Sequence, residues 1–212
     1  MAVSSSKSAS HRAAKKEACR QAIIRAAIAL FEQKGFDATT MDEIAHAAEV
    51  SRPTVFNYFA RKEEILTGFT DIMRERISAV ASLATAAESP APLDTLKRIL
   101  VTQAAVFSEF PETSHAFHLL KMQESHCRKG PSPEEQNERN RYVGFLAGII
   151  GRAQELELVR RDFDSREMAL HLMIGLFASV IGPWQGGFFR DEALPDVIGR
   201  HFDLFIQGML PR

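Results

Sequence analysis

Four side chains with hydrogen-bonding groups fall within seven residues, from Arg52 to Tyr58. An arginine such as Arg52 can donate two hydrogen bonds to one guanine, and Asn57 can pair in a similar way with adenine. Thr54 offers both a methyl and a hydroxyl group, and Tyr58 can donate to a phosphate. This combination of side chains is typical of a segment that enters the major groove of DNA.

The residues around this segment predict the helix that would hold it. Val55 and Phe59 stand four residues apart, so a helix over PTVFNYF has an apolar face for packing and a polar face for contact. Ser51 can cap that helix, and Pro53 is tolerated because it falls in the first turn. The sequence therefore predicts a short third helix ending near Ala60, with Ser51 among the candidate DNA contacts.

Two further helices are predicted before it. Apolar residues recur at helical spacing over 23–31, and Gly35 supplies a left-handed stop. Thr40 followed by Glu43 makes a capping box for a second helix over MDEIAHAA. Residues 1–14 are rich in Ser, Ala and Lys without hydrophobic periodicity, which predicts a disordered basic arm.

The rest of the chain is predicted to form amphipathic helices separated by Pro and Gly. A long helix is expected over 62–85, and no run of alternating apolar and polar residues indicates a strand. Further helices are expected at about 93–110, 112–129, 134–158, 165–181 and 195–209. The sequence therefore predicts an all-α fold of about nine helices. A helix-turn-helix DNA-binding domain would occupy 15–62, and a larger helical effector-binding and dimerisation domain would occupy 63–212.

The charge distribution favours the same division. Ten basic and six acidic side chains occur through Lys62, a balance of +4 that leaves −5 for the rest of a chain whose total is −1. A basic amino-terminal third favours a nucleic-acid partner. Cys19 and Cys127 stand far apart, so no disulfide framework is indicated and a reducing cytoplasm is expected. The uncharged run 168–189 is broken at 182–183 and is too short to cross a bilayer, so no membrane partner is expected.

The segment AIIRAAIALFEQKGFDATTMDEIAHAAEVSRPTVFNYFARKEEIL resembles the amino-terminal signature of the TetR family of transcriptional regulators. The shared features, which cover about residues 16–66, are a hydrophobic first helix ending in Lys34-Gly35-Phe36, Thr40 before the second helix, Val50-Ser51 in the turn, Tyr58-Phe59, and Lys62 to Leu66. The resemblance implies that Thr40 and Lys62 contact phosphates and that the third helix enters the major groove. It also implies that the protein binds a palindromic double-stranded DNA operator as a homodimer.

Two positions depart from the family pattern. Phe56 stands where the family very often has Tyr, so the phosphate contact of that hydroxyl is missing here. Pro53 stands where Gly is frequent, which stiffens the start of the third helix and affects the orientation of Arg52.

Beyond Leu66 the chain resembles the family only in general plan. In that family the last two helices form a four-helix dimer interface, which here implies the helices at 165–181 and 195–209. The alternative is that these helices complete the core of a monomer. The residues predicted at the dimer interface are Met173, Phe177, Ile198, Phe202, Phe205 and Met209.

Aromatic residues are concentrated in the second domain. An apolar pocket lined by some of them would suit a small, largely hydrophobic or aromatic effector that releases a repressor from DNA. Each of them could instead be an ordinary core residue, and no cofactor is expected. The candidate ligand contacts are Phe69, Met73, Phe107, Phe110, Phe117, His118, Met122, Tyr142, Phe145, Phe177 and Trp184.

The stretch SHAFHLLKMQESHC resembles a set of metal ligands. His115, His118, Met122 and His126 share one helical face, but their span exceeds what one ion can gather, so no metal site is predicted. Lining of a pocket and ordinary packing are the other interpretations. Cys127 is a weaker candidate for a redox switch. A reactive thiol needs a lowered pKa, and only the neighbouring Arg128 and Lys129 indicate one.

Two other classes of protein account for fewer of these features. An enzyme is disfavoured because the chain has no GxSxG, no phosphate-binding Gly-rich loop and no HExxH. A helical adaptor that binds protein would explain the amphipathic helices, but not the basic arm or the polar face of the third helix. The sequence therefore favours a DNA-binding regulator with a small-molecule effector.

Overall fold

The computed structural model describes residues 3–84, 91–127, 133–181 and 192–210. These ranges contain ten helices and no strand, which confirms the predicted all-α fold. The helices are α1 (Val3–Lys34), α2 (Met41–Ala47), α3 (Arg52–Tyr58), α4 (Lys62–Leu66), α5 (Phe69–Ala84), α6 (Pro92–Glu109), α7 (Pro111–Cys127), α8 (Pro133–Glu155), α9 (Ser165–Ile181) and α10 (Leu194–Gly208). None of the described helices has the length and apolar content needed to cross a bilayer.

The chain forms two compact units. Unit 1 extends to Ile72 and also includes Phe110–Leu120, and unit 2 comprises Met73–Glu109 and the residues from Lys121 onward. Therefore α4, the start of α5 and the first half of α7 group with the helix-turn-helix, whereas the sequence predicts a boundary between residues 62 and 63. The two helices α5 and α7 each contribute residues to both units.

The first helix is longer than the sequence predicts. It begins at Val3, so it includes most of the segment 1–14 for which the composition predicts a disordered arm. Four of residues 1–14 are Ala, the best helix former, and Lys7 and Arg12 are also good helix formers, so the helix can continue through this segment. Residues 11–18 are all exposed, so this part of α1 does not contribute to the core of unit 1.

Unit 1 is built around the second half of α1. Its core consists of side chains with at most 4% exposure from α1, α2, α3, the residue after α3, and α4, namely Ile23, Ile24, Ala27, Ile28, Phe31, Ile44, Ala45, Val55, Phe59, Ile65 and Leu66. Gly35 ends α1 with a φ of 85°, as predicted for a left-handed stop. Burial of a large aliphatic or aromatic side chain contributes about 1.5–3 kcal/mol, so this cluster fixes the three short helices against α1.

The prediction of one continuous helix over 62–85 is wrong at Thr67 and Gly68. Here each backbone N–H bonds to the carbonyl three residues earlier and not four as in an α-helix. The Gly68 N–H donates to the Ile65 carbonyl at 2.9 Å, and the Thr70 N–H donates to the Thr67 carbonyl at 3.1 Å. The Thr67 hydroxyl also donates to the Glu64 carbonyl at 2.6 Å. These local bonds compete with the helix and separate α4 from α5.

Unit 2 contains a bundle in which α6 packs against α8 and α10, and α9 packs against α8 and α10. Its core is lined by apolar side chains with at most 5% exposure, among them Leu96, Ile99, Leu100, Val143, Leu146, Ile150, Leu172, Leu176, Val197, Ile198 and Phe202. Gly175 allows α9 to approach α10 closely, because a Cβ there would overlap the imidazole of His201. Lys97 pairs with Asp203 at 2.6 Å and links α6 to α10.

Candidate nucleic-acid interface

A complete capping box holds the start of α2. The Glu43 backbone N–H donates to the Thr40 hydroxyl at 3.3 Å, and the Thr40 backbone N–H donates to the Glu43 carboxylate at 2.9 Å. A hydrogen bond from Lys34, followed by one from the Thr40 hydroxyl, lowers the pKa of Glu43 to about 2. The stabilisation by this carboxylate is therefore complete above the ordinary pKa of 4.5 and is lost as the pH falls toward about 2.

The position of α3 is set by a local cap and two buried side chains. The Ser51 hydroxyl accepts the Thr54 backbone N–H at 3.2 Å, and the hydroxyl oxygens of Ser51 and Thr54 lie 2.7 Å apart. Pro53 lies in the first turn of the helix. Val55 and Phe59 are 0% and 4% exposed. The predicted cap, first-turn proline and apolar anchors of this helix are thus confirmed.

The opposite face of α3 is accessible to solvent. Arg52 and Asn57 are exposed and Thr54 is half-buried, so three of the predicted base contacts are available on this short helix. Phe56 is 41% exposed and follows Arg52 by one helical turn. Sequence reasoning noted Phe56 only for its missing hydroxyl, although an aromatic residue outside the apolar face was a signal of a contact surface.

Arg52 is held by two neighbours in this structure. Its Nε lies 2.9 Å from Oδ1 of Asp42 on α2, and both side chains are more than half exposed. Its guanidinium carbon lies 5.5 Å from the centre of the Phe56 ring. Arg52, a predicted base contact, therefore has a defined position between Asp42 and Phe56 in this structure.

Tyr58 turns its hydroxyl toward α1. A hydrogen bond with the Cys19 thiol raises the pKa of Tyr58, and the ring is half-buried. Its ring also lies 6.5 Å from that of Phe59. A contact between Tyr58 and a phosphate stays a prediction, and in this structure it would require exchange of the bond to Cys19.

Lys62 connects the start of α4 to the turn between α1 and α2. Its ammonium group donates to the carbonyls of Phe36, Asp37 and Thr39 at 2.6, 3.0 and 3.0 Å. The same nitrogen lies 4.5 Å from the centre of the Phe36 ring. Three carbonyls match the three donors of an ammonium group, so Lys62 acts here as a tether. Its predicted contact with a phosphate would compete with these bonds.

We expect Lys62→Met to lower the free energy of unfolding by about 1–3 kcal/mol, because three carbonyls lose a charged donor. Urea denaturation measures this change, and Arg61→Met is a matched control because the Arg61 side chain is 63% exposed. If Lys62→Met instead leaves stability unchanged and reduces the salt dependence of DNA binding by about one phosphate contact, Lys62 is a phosphate ligand and not a tether.

Several candidate ligand contacts pack together inside unit 1. Phe69 is fully buried, and its ring centre lies 5.9 Å from those of both Phe110 and Phe117 in edge-to-face geometry. His118 is 7% exposed, and its Nδ1 lies 2.6 Å from the Ser114 carbonyl. Burial lowers the pKa of His118 and keeps the ring neutral near pH 7. These residues form a packed aromatic cluster, in which Phe69 has no exposed surface for a ligand.

Other candidates lie in unit 2. The Tyr142 hydroxyl donates to Oε1 of Gln103 at 2.7 Å, and burial raises the pKa of Tyr142. The Phe145 ring centre lies 6.5 Å from that of Tyr142, and Phe107 is 7% exposed. The remaining candidates differ in exposure or fall outside the described residues: Met73 is half-buried, Met122 is 39% and Phe177 47% exposed, and Trp184 is not described.

The residues predicted at the dimer interface differ in the exposed fraction of their side chains. Phe177 is 47% exposed, and Met173, Phe205 and Met209 are half-buried. Ile198 and Phe202 are 1% and 3% exposed, so they belong to the core of the subunit and have no surface for a partner. The exposed apolar side chains of α9 and α10 include Leu170, Ile174, Phe177 and Leu204, of which Ile174 is 64% and Leu204 69% exposed.

The histidine-rich stretch of α7 does not form a metal site in the part of the chain that the structure describes, where no three His, Cys, Asp or Glu side chains converge. His115 is half-buried beside the buried His118. The side chain of His126 and that of Cys127 lie outside the described part.

Comparison with known proteins supports the interpretation of unit 1. Residues 23–68 match the family model described as bacterial regulatory proteins, tetR family. The chain is 27% identical over 198 residues to the HTH-type transcriptional repressor BepR of Brucella suis biovar 1, a match that covers 89% of this chain and 86% of that protein. It is 28% identical to the HTH-type transcriptional regulator TcmR of Streptomyces glaucescens, where the match covers 66% of this chain and less than two thirds, 62%, of that protein.

The fold is also similar to that of solved regulators. The crystal structure of Thermus thermophilus FadR, a TetR-family repressor in complex with lauroyl-CoA, superposes with a TM-score of 0.62 at 27% identity, covering 91% of this chain and 96% of that one. The matched proteins are regulators and not enzymes. Residues 23–68 therefore carry the helix-turn-helix domain of the tetR family of bacterial regulatory proteins, and the all-α fold of the chain is similar to that of a TetR-family repressor.

Proposed function

We propose that the protein is a repressor that binds a palindromic operator as a homodimer, with α3 of each subunit in the major groove. The observation that carries this proposal is the division of α3 between two buried anchors and the exposed Arg52, Phe56 and Asn57. A short helix with this division can present side chains to base edges without disturbing its own core. The name of BepR as a repressor supports the sign of regulation.

The second part of the proposal is a homodimer formed through α9 and α10. Leu170, Ile174 and Phe177 follow one another at helical spacing on α9, and each is at least 40% exposed. Leu204 on α10 is 69% exposed. Apolar side chains repeated along one helix face are costly in water and are stabilised by a partner. A twofold arrangement would bring the same face of both subunits together.

The third part is an apolar effector bound by the residues of the second domain. The pair formed by Tyr142 and Gln103 offers a polar anchor beside the ring of Phe145, and Phe107 follows Gln103 by one turn of α6; this set suits a ligand with an apolar body and a polar group. Lauroyl-CoA, with which the FadR relative was crystallised, carries an apolar acyl chain of this kind on a large polar group. We therefore propose a fatty acyl or comparable amphipathic compound as the effector class.

The effector could act on α3 through polar links between α1 and the two helices that continue into unit 2. Arg20 pairs with Asp71 of α5 at 2.9 Å. Glu32 accepts the backbone N–H groups of Thr113 and Glu112 at 2.8 and 3.2 Å, and so caps the start of α7. A ligand that shifts α5 or α7 would strain these links and change the roughly 34–36 Å separation that two recognition helices require.

The proposed function is tested by selecting an operator from random duplexes with the wild-type protein. We expect a palindromic sequence bound by two subunits, and lauroyl-CoA as the first probe for release. Asn57→Ala should weaken binding to that duplex by about 5- to 100-fold, the range for one base contact, whereas Gln33→Ala on the exposed part of α1 should not. Selection of no preferred duplex, or binding of a monomer, would reject the proposal.

We expect Glu32→Ala to weaken the coupling between effector and DNA. The start of α7 loses its cap, so movement of α7 is transmitted less strongly to α1. The measurement is the ratio of operator affinities with and without effector, for which a coupling of about 1–3 kcal/mol corresponds to roughly 5–150-fold. Glu112→Ala, which keeps the backbone N–H, is the control. If the ratio of operator affinities is unchanged in Glu32→Ala, the cap that Glu32 provides for α7 contributes to stability but not to the coupling.

A further inference from the structure

The ion pair between Asp42 and Arg52 has an unusual place in unit 1. Its two side chains are 60% and 64% exposed, although the atoms approach to 2.9 Å. An ion pair this exposed adds little to stability, since solvent screens it and its side chains lose freedom. In this structure the pair places the Nε side of the Arg52 guanidinium group toward Asp42, on the exposed face of α3.

The direction of that approach matters for base recognition. Asp42 approaches the Nε of Arg52, and no other carboxylate pairs with Arg52 in the ranges that the structure describes. The two terminal nitrogens then remain as a planar fork, which is the donor pattern that O6 and N7 of guanine accept. A carboxylate beside the fork also disfavours a phosphate as the alternative partner, because both carry negative charge.

Phe56 adds an apolar element to the same surface. It stands one helical turn after Arg52, is 41% exposed, and its ring centre lies 5.5 Å from the guanidinium carbon. The ring supports the guanidinium through a cation–π contact. Among the groups that base edges present in the major groove, the methyl group of thymine is the apolar one that suits the exposed remainder of the ring.

We propose that the side chains of Asp42, Arg52 and Phe56 together recognise a guanine beside a thymine. Arg52 donates hydrogen bonds to O6 and N7 of the guanine, and Phe56 packs on the thymine methyl group. Asp42 is a positioning residue that orients the guanidinium group of Arg52. The inference rests on the proposed entry of α3 into the major groove, and it assigns two specificity-determining residues to that function.

The test uses the full-length protein and the duplex selected by the wild type. Replacing the guanine by 7-deazaguanine removes the N7 acceptor, and replacing the thymine by deoxyuridine removes the methyl group. Wild type should lose about 5- to 50-fold in affinity on the first change and about 2- to 10-fold on the second. Phe56→Ala should no longer respond to deoxyuridine, and Asp42→Ala should respond less to 7-deazaguanine.

Matched variants separate positioning from a structural role. Asp42→Asn keeps an acceptor oxygen and should retain more of the response to 7-deazaguanine than Asp42→Ala does. Asp37→Ala removes another exposed carboxylate of unit 1 and should leave both responses unchanged. Thermal unfolding should change little in all of these Asp42 and Asp37 variants, because both side chains are exposed and the loss of the Asp42 charge from the first turn of α2 costs no more than about 1 kcal/mol.

The outcomes distinguish this inference from the function on which it rests. If the selected duplex contains no guanine beside a thymine, or if Asp42→Ala and Phe56→Ala keep the wild-type responses, the inference is overturned while the DNA-binding function stands. If no duplex is selected at all, both are rejected. The inference is supported if Phe56→Ala loses the response to deoxyuridine and Asp42→Ala loses part of the response to 7-deazaguanine, while Asp37→Ala keeps both responses.

Discussion

Leu204→Glu is expected to leave the protein monomeric and to remove its binding to a palindromic operator. Leu204 is 69% exposed on α10, so the change does not disturb the core of the subunit. In the proposed dimer the new carboxylate would be buried without a partner, at a cost of about 3–5 kcal/mol. Each 1.4 kcal/mol is about tenfold in affinity, so the dimer should dissociate at micromolar concentration. Sedimentation velocity and operator binding measure the two effects.

The control for this variant is Leu119→Glu, which changes an exposed leucine of α7 with 44% exposure that is not part of the proposed interface. It should remain dimeric. Phe202→Glu is not suitable as a test, since the ring is 3% exposed and the charge would unfold the subunit. A dimeric Leu204→Glu protein with full operator affinity would place the subunit contact away from this face of α10.

The second large effect is expected in the aromatic cluster of unit 1. Phe69→Ala should lower the free energy of unfolding by about 3–5 kcal/mol, because it removes a fully buried ring from contact with two others. Chemical denaturation measures the change. Phe56→Ala, at a ring that is 41% exposed, should alter stability by no more than about 0.5 kcal/mol.

This prediction separates a core role for Phe69 from a role in ligand binding. A core residue affects stability in the absence of any effector, whereas a ligand contact affects the response to effector. If Phe69→Ala has the stability of the wild type but no longer responds to lauroyl-CoA, the sequence-based assignment of Phe69 to the ligand site is the correct one.

The parts of the fold that the sequence predicts well depend on short-range signals. The capping box of Thr40 and Glu43, the Ser51 cap and the Gly35 stop all act within four residues, so their geometry follows from residue type and spacing. The buried and exposed faces of α3 follow from two apolar residues four apart. For these reasons the local structure around the candidate DNA-contacting residues follows from the sequence more directly than the rest of the fold does.

The parts that could not be predicted depend on distant neighbours. Lys62 bonds to carbonyls 23–26 residues earlier in the chain, and nothing in its local sequence indicates these acceptors. The pair of Asp42 and Arg52 likewise depends on the angle between α2 and α3. Helix α9 is apolar on nearly every side, so periodicity does not show which side is buried. The burial of Ile198 and Phe202 in the subunit was missed for a related reason, because the apolar stripe on α10 is wider than its core contact.

The way α3 is anchored has a consequence for evolution and engineering. Its position depends on Val55, Phe59 and the Ser51 cap, whereas Arg52, Phe56 and Asn57 bury little surface. Mutations at the last three positions can therefore accumulate at little cost to folding. Duplicated copies of such a gene could diverge toward new DNA sequences through a few substitutions in one seven-residue helix, while each copy kept the same helical scaffold.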